Sequence, residues 1–503
     1  MKIRHASWPP SLVADRGTAR WWSGLALILL VGLLLRGYWL TTPGYNGMGV
    51  WKAWAYGTNR VGITEVYRLR QHPEPALTWT TLTAALTGGL PAVKVGFPDR
   101  AFDPDYPPGT FYLLGALAGA YRTWISPTFR DGPLLNVTIK LPLLLAELAT
   151  ALLLGWAVGH RRGPGAGLAA LASYWLNPTV LLGGSILAFL DAFYSLALLA
   201  GAVALLHGRV RGLWLGWAVA LALKPQALLV LPAVVLLTSR GGPLRTARQM
   251  VPAGSLLLAI SLPMLLTGHL LGLLAGVAGN AHEGYVSANQ FNLWWLWSYL
   301  YARRLGHLQA AILQQGQLTA LTISQLRMWG WVLFACWTFF LGQGWWERAR
   351  LTARNALPGA ETVLLLALQL YGGVMLLTSM HENHLLGVLP LLALAAWWIG
   401  APHQAVSKPV RRALQTRKLR LRPLPAAIYY GGTWLPGLLY VGVSVVTGAN
   451  LLMIFGLGVG APYPLPRIWG GLDGSMVITG LNLLLFALGA GGWAALRAAP
   501  RPL

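Results

Sequence analysis

The sequence predicts an all-α integral membrane protein, a polytopic helical bundle. Of the 503 residues, 55% are hydrophobic and 10% are charged, whereas about 25% are charged in a typical soluble domain. Apolar runs close to 20 residues long recur along the chain, and about 20 residues are enough to cross a bilayer as a helix. From these runs we expect about 11 to 13 transmembrane segments and no detachable soluble domain.

The basic residues are concentrated in one set of loops. Seven segments hold 23 of the 38 Lys and Arg residues and only two carboxylates, Asp15 and Glu347. Such asymmetry places these loops in the cytoplasm, where they would also attract anionic lipid headgroups. The net charge of +24 therefore reflects membrane orientation and does not predict a nucleic-acid partner. The only cysteine, Cys336, excludes disulfides and cysteine-based metal sites.

The predicted organisation is one membrane domain, residues 23–496, between a basic cytoplasmic N-terminus, 1–22, and a cytoplasmic tail, 497–503. The first span, 23–40, is expected to be retained, because no cleavage pattern follows it. External loops are predicted at 41–108 and 267–326, both partly helical. Further spans are predicted at 138–158, 165–182, 186–206, 251–266, 328–343, 361–379, 385–399, 425–446 and 476–496.

Two segments differ from a simple crossing. Residues 213–222 and 227–237 are each too short to span, and Lys224-Pro225-Gln226 separates them. Because proline breaks helices, we predict a broken hairpin with Lys224 near its outer turn, as is tolerated where a helix lines a cavity. Residues 109–124 would invert every later loop if they crossed. They are predicted to be re-entrant or lateral, unless the number of spans near 426–460 differs.

Asp103 and Asp105 end the first external loop, in the sequence Asp103-Pro-Asp105-Tyr-Pro-Pro-Gly109. One interpretation is that the prolines form a rigid approach to the next apolar segment and that the aspartates are simply solvated. The other is that the prolines hold Asp105 at the membrane surface as a general base, since a carboxylate beside apolar walls has a raised proton affinity.

Asp191 and Lys224 lie in otherwise apolar stretches, where an ionised side chain is costly unless it is paired or hydrated. Asp191 either forms a packing ion pair with a residue such as Lys140 or faces a site. Lys224 and Arg36 either extend to the membrane interface or neutralise a phosphate. Glu147 is expected to be a buried structural partner.

Two further segments carry candidate ligands. Residues 287–295 mix amides with aromatic rings, which is typical of an interfacial aromatic belt or of a wall that stacks a sugar. The candidates there are Asn289, Asn292 and Trp294. The segment His381-Glu382-Asn383-His384 lacks the spacing and third ligand of a zinc site, so we predict a hydrogen-bonding cluster for an anionic substrate and no metal.

Five motifs occur in one order: Asp105-Tyr-Pro-Pro-Gly109, Asn177-Pro178 followed by Asp191, Lys224-Pro-Gln226, Asn289-Gln-Phe-Asn-Leu-Trp-Trp295 and Met380-His-Glu382. Together they resemble the multispan glycosyltransferases of the GT-C superfamily. The likeness is greatest to prokaryotic proteins similar to the GPI mannosyltransferase of the second-mannose step. It covers roughly residues 36–450.

The resemblance implies an inverting glycosyltransferase in a prokaryotic cell membrane. Its active site faces outside and transfers a hexose, such as mannose, from a polyprenyl-phosphate carrier to a lipid, glycan or protein acceptor. The sequence predicts no cofactor and leaves a requirement for a divalent metal ion open. Asp105, or Asp103, would be the base. The substrate-binding residues would be Arg36, Asp191, Lys224, Gln226, Asn289, Asn292, Trp294, His381 and Glu382, of which Arg36, Lys224 and His381 would contact the phosphate.

Three positions depart from the family pattern. Asn46 and Gly47 stand where the family usually carries a carboxylate, the glutamine that usually precedes Asp191 is missing, and Asn383 replaces an arginine. The missing acid leaves open a catalytically silent relative that binds a lipid-linked sugar. Half-helices around Lys224 leave open a transporter or flippase, whose polar residues would have to be reachable from both membrane faces.

Overall fold

The computed structural model describes residues 16–45, 48–71, 104–280, 286–304, 323–351, 359–399, 424–458, 468–469 and 472–498. These parts of the chain are almost entirely helical, which confirms the all-α fold class. A two-stranded antiparallel pair, β1 (Ile468–Trp469) with β2 (Leu472–Asp473), is an addition that the sequence did not predict.

The first half of the chain contains helices of very different lengths. They are α1 (Arg16–Gly37), α2 (Met48–Val61), α3 (Glu65–Gln71), α4 (Pro108–Trp124), α5 (Pro133–Arg162), α6 (Pro164–Trp175), α7 (Asp191–Leu206), α8 (Val210–Leu223), α9 (Leu231–Thr238) and α10 (Pro243–Leu266). Single turns connect some of them, at Tyr38–Thr41, Pro178–Val180, Leu181–Ile186, Pro225–Val230 and Ser239–Gly241.

The second half continues the bundle. Its helices are α11 (Leu270–Asn280), α12 (Leu293–Arg304), α13 (Ile323–Leu351), α14 (Ala360–Leu376), α15 (Leu389–Ile399), α16 (Leu424–Phe455) and α17 (Gly474–Ala498), with a turn at His384–Gly387. The predicted external loops are partly helical, as expected, since they contain α2, α3, α11 and α12.

Five described helices are long and apolar enough to cross a membrane: Ala19–Thr41, Pro133–Arg162, Pro243–Leu266, Trp434–Phe455 and Gly474–Ala495. Shorter apolar helices pack among them. Large apolar side chains such as Leu27, Leu34 and Leu266 are 61%, 69% and 76% exposed, which suits surfaces that face lipid. The chain is therefore a membrane protein.

The helices run between two ends of the bundle. At one end, the ring of His160 in α5 lies 6.0 Å from that of His207, and the guanidinium of Arg161 stacks on Trp398. We call this the basic end. Asp191 begins α7, a helix of 16 residues that finishes there, so Asp191 lies about 24 Å away. That opposite end is the polar end.

Helix α4 begins and ends at the polar end. Its first turn docks on the last turn of α8, where Thr110 donates a hydrogen bond to Leu223 O. At its other end, Tyr121 donates to Arg130 O at 2.7 Å, immediately before α5 begins. Helix α4 packs laterally on α2, as the contact between Trp54 and Phe111 shows. Because α4 does not cross from one end of the bundle to the other, it does not reverse the direction in which α5 and the later helices run.

Several helix bounds differ from the predicted spans. Helix α7 begins at Asp191 rather than at residue 186, because Leu181–Ile186 forms a wide turn and Ala188 has a left-handed φ of 69°. Helix α1 begins before residue 23, and α13 and α16 reach 29 and 32 residues. The predicted spans are shorter because an apolar run marks only the part of a helix that contacts lipid. The helix itself continues into the polar sequence on either side of that run.

Candidate functional site

A buried ion pair joins α7 to the break after α8. Lys224 has an extended backbone, with φ −150° and ψ 131°, as expected for a residue that precedes proline. Its Nζ lies 2.7 Å from Asp191 Oδ1, and both side chains are almost fully buried. The suggested partner Lys140 was wrong: its Nζ donates instead to Trp39 O at 2.7 Å and to Ile186 O at 3.0 Å.

The loop between α14 and α15 closes over this pair. The second oxygen of Asp191 accepts a hydrogen bond of 2.6 Å from Asn383 Nδ2. Both carboxylate oxygens of Asp191 are therefore occupied by side chains of the protein. This contact also fixes the loop that carries Glu382.

Glu382 is only 3% exposed, in the loop beside the ion pair. Burial raises the pKa of its carboxyl above the usual value, while the charges of His381 and Lys224 oppose part of that shift. Among the described residues, Glu382 Oε2 has no hydrogen-bond partner. A buried carboxylate oxygen without a partner is costly, so this atom is a candidate to contact a ligand.

Gln226 faces His384 at the same place, with the Gln226 amide 2.9 Å from Nε2 of the ring. The backbone N–H of His381 donates to Nδ1 of His384 at 3.2 Å, so the neutral ring carries its proton on Nε2. A protonated Nε2 needs a hydrogen-bond acceptor, so we assign the carbonyl oxygen of Gln226, rather than its NH2 group, to this contact. The orientation of a side-chain amide is assigned from its hydrogen bonds in this way. The NH2 group then occupies the other amide position.

The first external loop brings Asp105 and Tyr106 to the ion pair. The ring of Tyr106 lies 6.0 Å from Lys224 Nζ, and its backbone oxygen accepts a 2.8 Å hydrogen bond from the hydroxyl of Tyr67. Asp105 is half-buried and lies within electrostatic range of Lys224. Asp103 lies outside the described residues.

Tyr45 is a site residue that the sequence did not reveal. Its ring packs on Phe189 with centroids 4.2 Å apart. Burial, followed by the charges of Glu382, Asp191 and Asp105, raises the pKa of its hydroxyl far above the usual value. Tyr45 therefore lies among the carboxylates, and its position directly before Asn46 was the only signal that could have found it.

Arg36 does not take part in this site. Its Nε lies 2.9 Å from Glu147 Oε2, its guanidinium stacks 3.8 Å from the centre of the Trp175 ring, and it is 0% exposed. Glu147 is thus the buried structural partner that we expected. Arg36 is therefore held in a buried ion pair and does not extend to the interface. Among the described residues its Nη2 has no hydrogen-bond partner, and its predicted contact with a phosphate stays a prediction.

Asn292 and Trp294 stabilise the fold. Asn292 caps α12, since its Oδ1 accepts hydrogen bonds from the backbone N–H groups of Trp294 and Trp295 at 3.0 and 3.2 Å, and its Nδ2 donates to Val374 O at 2.9 Å. The indole N–H of Trp294 donates to Leu376 O at 2.7 Å. Both side chains are buried with these polar groups engaged, which argues against the predicted sugar-binding wall.

Asn289 and His381 lie at the rim of the site. The two residues form a short backbone bridge, both are half-buried, and Asn289 has a left-handed φ of 64°. Its carbonyl accepts a 3.0 Å hydrogen bond from Asn450 Nδ2. These two remain candidate contacts for a ligand that enters from the polar end.

The acidic cluster, which we define as Asp105, Asp191, Lys224 and Glu382, therefore contains three carboxylates and one lysine. Within the described ranges, no group of three or more His, Cys, Asp or Glu side chains is arranged to hold a metal ion. The cluster combines one carboxylate committed to an ion pair with another that is open to a ligand.

No protein-family model, curated protein or solved structure matches this chain. Its function is therefore argued from the chemistry of the acidic cluster and from the position of that cluster in the bundle.

Proposed function

We propose that this protein is a GT-C-type glycosyltransferase that transfers a hexose from a polyprenyl-phosphate carrier to an acceptor hydroxyl. The supporting observation is the convergence of the acidic cluster: Asp105, Asp191, Lys224 and Glu382 come from four distant parts of the chain and meet at one end of the bundle. Charged side chains are costly near lipid, so such a gathering indicates a site rather than a solvated surface.

The reaction takes place at the extracytoplasmic face of a prokaryotic membrane. Basic loops favour the cytoplasm, and the acidic cluster lies at the opposite end of the helices. Five described helices are long and apolar enough to cross a membrane. We propose twelve described runs of chain as the crossings, so that α1 begins and α17 ends at the basic end. The twelve runs are α1, α5, residues 164–186, α7, α8, residues 225–238, α10, α13, α14, α15, α16 and α17.

The cluster supplies the groups that glycosyl transfer requires. A carboxylate takes the proton of the acceptor hydroxyl, and Lys224 attracts the phosphate of the carrier, with His381 at the rim as a second cation when it is protonated. Asp191 forms an ion pair with Lys224 and holds the lysine side chain in place. Asp105 is the sequence-predicted base, and Glu382 is a second candidate. The acceptor is a lipid, a glycan or a protein.

The core beneath the cluster supports access from one end only. Buried apolar side chains such as Leu198, Val230 and Leu366 occupy the region toward the basic end, where they line a small apolar cavity. A transporter would need polar side chains along that path. The arrangement therefore favours a transferase over a transporter or flippase.

The proposal is tested with purified protein in detergent, labelled polyprenyl-phosphate hexoses and a panel of acceptors. We expect the parent protein to transfer a hexose and Lys224→Met to lose about a hundredfold or more, because an electrostatic contact to the reacting group is removed. Lys52→Met is the matched control, since Lys52 is also a buried lysine but pairs with Asp131, which is not a member of the cluster.

The outcomes separate the three functions. Carrier binding without turnover on any acceptor would indicate the catalytically silent relative, and movement of labelled carrier across vesicles would indicate a flippase. A parent protein that neither binds nor transfers any carrier-linked hexose would contradict the proposal.

A further inference from the structure

The carboxylates of the acidic cluster are not equivalent. Asp191 has both oxygens engaged, at 2.7 Å by Lys224 and at 2.6 Å by Asn383. It could take a substrate proton only by breaking one of these contacts, which the surrounding apolar packing would make costly. Asp191 is therefore a positioning residue that holds Lys224 and the loop after α14.

Glu382 has the opposite arrangement. It is carried by the loop that Asn383 fixes and is 97% buried, and its Oε2 has no partner among the residues that the structure describes. Native proteins rarely leave a buried polar atom unsatisfied, and an exception calls for a ligand or a catalytic role. This oxygen can therefore accept a hydrogen bond from a ligand.

Gln226, two residues after Lys224 and in contact with His384, provides a complementary group. With its carbonyl oxygen bonded to His384, its NH2 is a buried donor. A hydroxyl is the common group that both donates one hydrogen bond and accepts others. An alcohol that donates to Glu382 Oε2 and accepts from this NH2 would use both groups.

We infer that Glu382 is the catalytic residue that takes the proton of the acceptor hydroxyl, and that the amide of Gln226 binds the same hydroxyl. This inference rests on the proposed function, and it assigns to Glu382 the role that the sequence suggested for Asp105. The inference adds a binding site for the acceptor alcohol to a cluster that otherwise binds only the phosphate of the sugar donor.

The transfer forms one bond and breaks one bond at the anomeric carbon. The hydroxyl oxygen forms a bond to the anomeric carbon of the hexose, and its proton passes to Glu382. The bond between the anomeric carbon and the phosphate oxygen breaks, and its electron pair leaves with the polyprenyl phosphate, beside Lys224. Burial supports this role, because it raises the pKa of Glu382 and makes its carboxylate a stronger base near neutral pH.

The decisive variant is Glu382→Gln, which keeps the size of the side chain and removes its basicity. We expect kcat to fall about 10²- to 10⁴-fold, the range for loss of a general base, while the Kd for labelled carrier changes less than about threefold. Gln226→Ala should instead raise the KM for the acceptor. The matched control is Glu65→Gln, since Glu65 lies at the same end but pairs with Arg68.

Retained carrier binding shows that the variant is folded, and Glu382→Asp provides a second check, since a shorter carboxylate should restore part of kcat. A Glu382→Gln protein with parental kcat would overturn the assignment of Glu382 and leave the proposed function standing. A parent protein that transfers no hexose at all would instead overturn the proposed function.

Discussion

At the scale of single residues, we expect the loss of Asp191 to affect stability strongly. Asp191→Asn would leave Lys224 buried without a contacting carboxylate, and removing one member of a buried ion pair typically costs about 3–5 kcal/mol. Thermal unfolding in detergent should therefore show a clearly lower Tm for this variant.

Two controls separate charge from packing. Asp191→Asn combined with Lys224→Met removes both charges and should recover much of the lost stability. Lys52→Met breaks a pair whose partner, Asp131, is 28% exposed, and pairs open to solvent usually contribute about 1 kcal/mol or less. An Asp191→Asn protein as stable as the parent would contradict the importance of the pair.

Glu382 also predicts a dependence on pH. Because its pKa is raised in the folded protein, the carboxylate is lost as the pH falls through a value above that of an ordinary glutamate. We expect the acidic limb of kcat against pH to lie above the usual glutamate range and to disappear in the residual activity of Glu382→Gln. The same limb in both proteins would assign it to another group.

The sequence could identify Asp191, Lys224 and Glu382, because an ionisable side chain in or beside an apolar run stands out. It could not identify their partners. Lys140 was as plausible a partner for Asp191 as Lys224, since the choice depends on which helix ends meet. Tyr45 is uncharged and follows no pattern, so only the fold reveals it.

At the scale of elements, the docking of α4 on α8 depends on the absence of a side chain at Gly109. A Cβ there would lie 2.4 Å from Ala222 O, a backbone atom that cannot move aside cheaply. We expect Gly109→Ala to displace α4 and with it Asp105, lowering both Tm and transferase activity. Activity assays and thermal unfolding together test this.

Gly119→Ala is the matched control in the same helix. A Cβ there would meet Asn59 at an ordinary 3.7 Å, and alanine is favoured over glycine within a helix. We expect Gly119→Ala to match or slightly exceed the parent in stability. If the two variants behaved alike, close docking of α4 would not be what positions Asp105.

The sequence predicted the broken hairpin around Lys224 well, because proline has a fixed and local effect. It placed the start of α7 wrongly, because the wide turn at Leu181–Ile186 and the left-handed Ala188 fall within an uninterrupted apolar run. Hydropathy does not distinguish such a turn from a continuous helix. The sequence also did not reveal that Asn292 caps a helix, because the aromatic residues around it suggested a sugar-binding wall.

At the scale of the whole molecule, the position of the two ends predicts the sidedness of chemical labelling. In a Cys336→Ser background, Glu65→Cys at the polar end should react with a membrane-impermeant maleimide in intact cells. Arg209→Cys, exposed at the basic end, should react only after permeabilisation. The reverse pattern would place the acidic cluster in the cytoplasm and contradict the proposed carrier chemistry.

The overall orientation stays a prediction from summed charge, which does not require accurate helix bounds. The direction of each later helix could not be predicted from the sequence, because residues 109–124 are long enough to be taken for a crossing. Their lateral course depends on packing against α2, through contacts such as Trp54 with Phe111. Those contacts join residues far apart in the chain.

The Arg36–Glu147 pair has a consequence for biosynthesis. The two residues are 111 positions apart, so the ribosome delivers the arginine to the translocon long before its counter-ion has been made. An isolated arginine is costly in hydrocarbon. We therefore expect α1 to remain beside the insertion machinery, or bound to a membrane chaperone, until α5 has been synthesised.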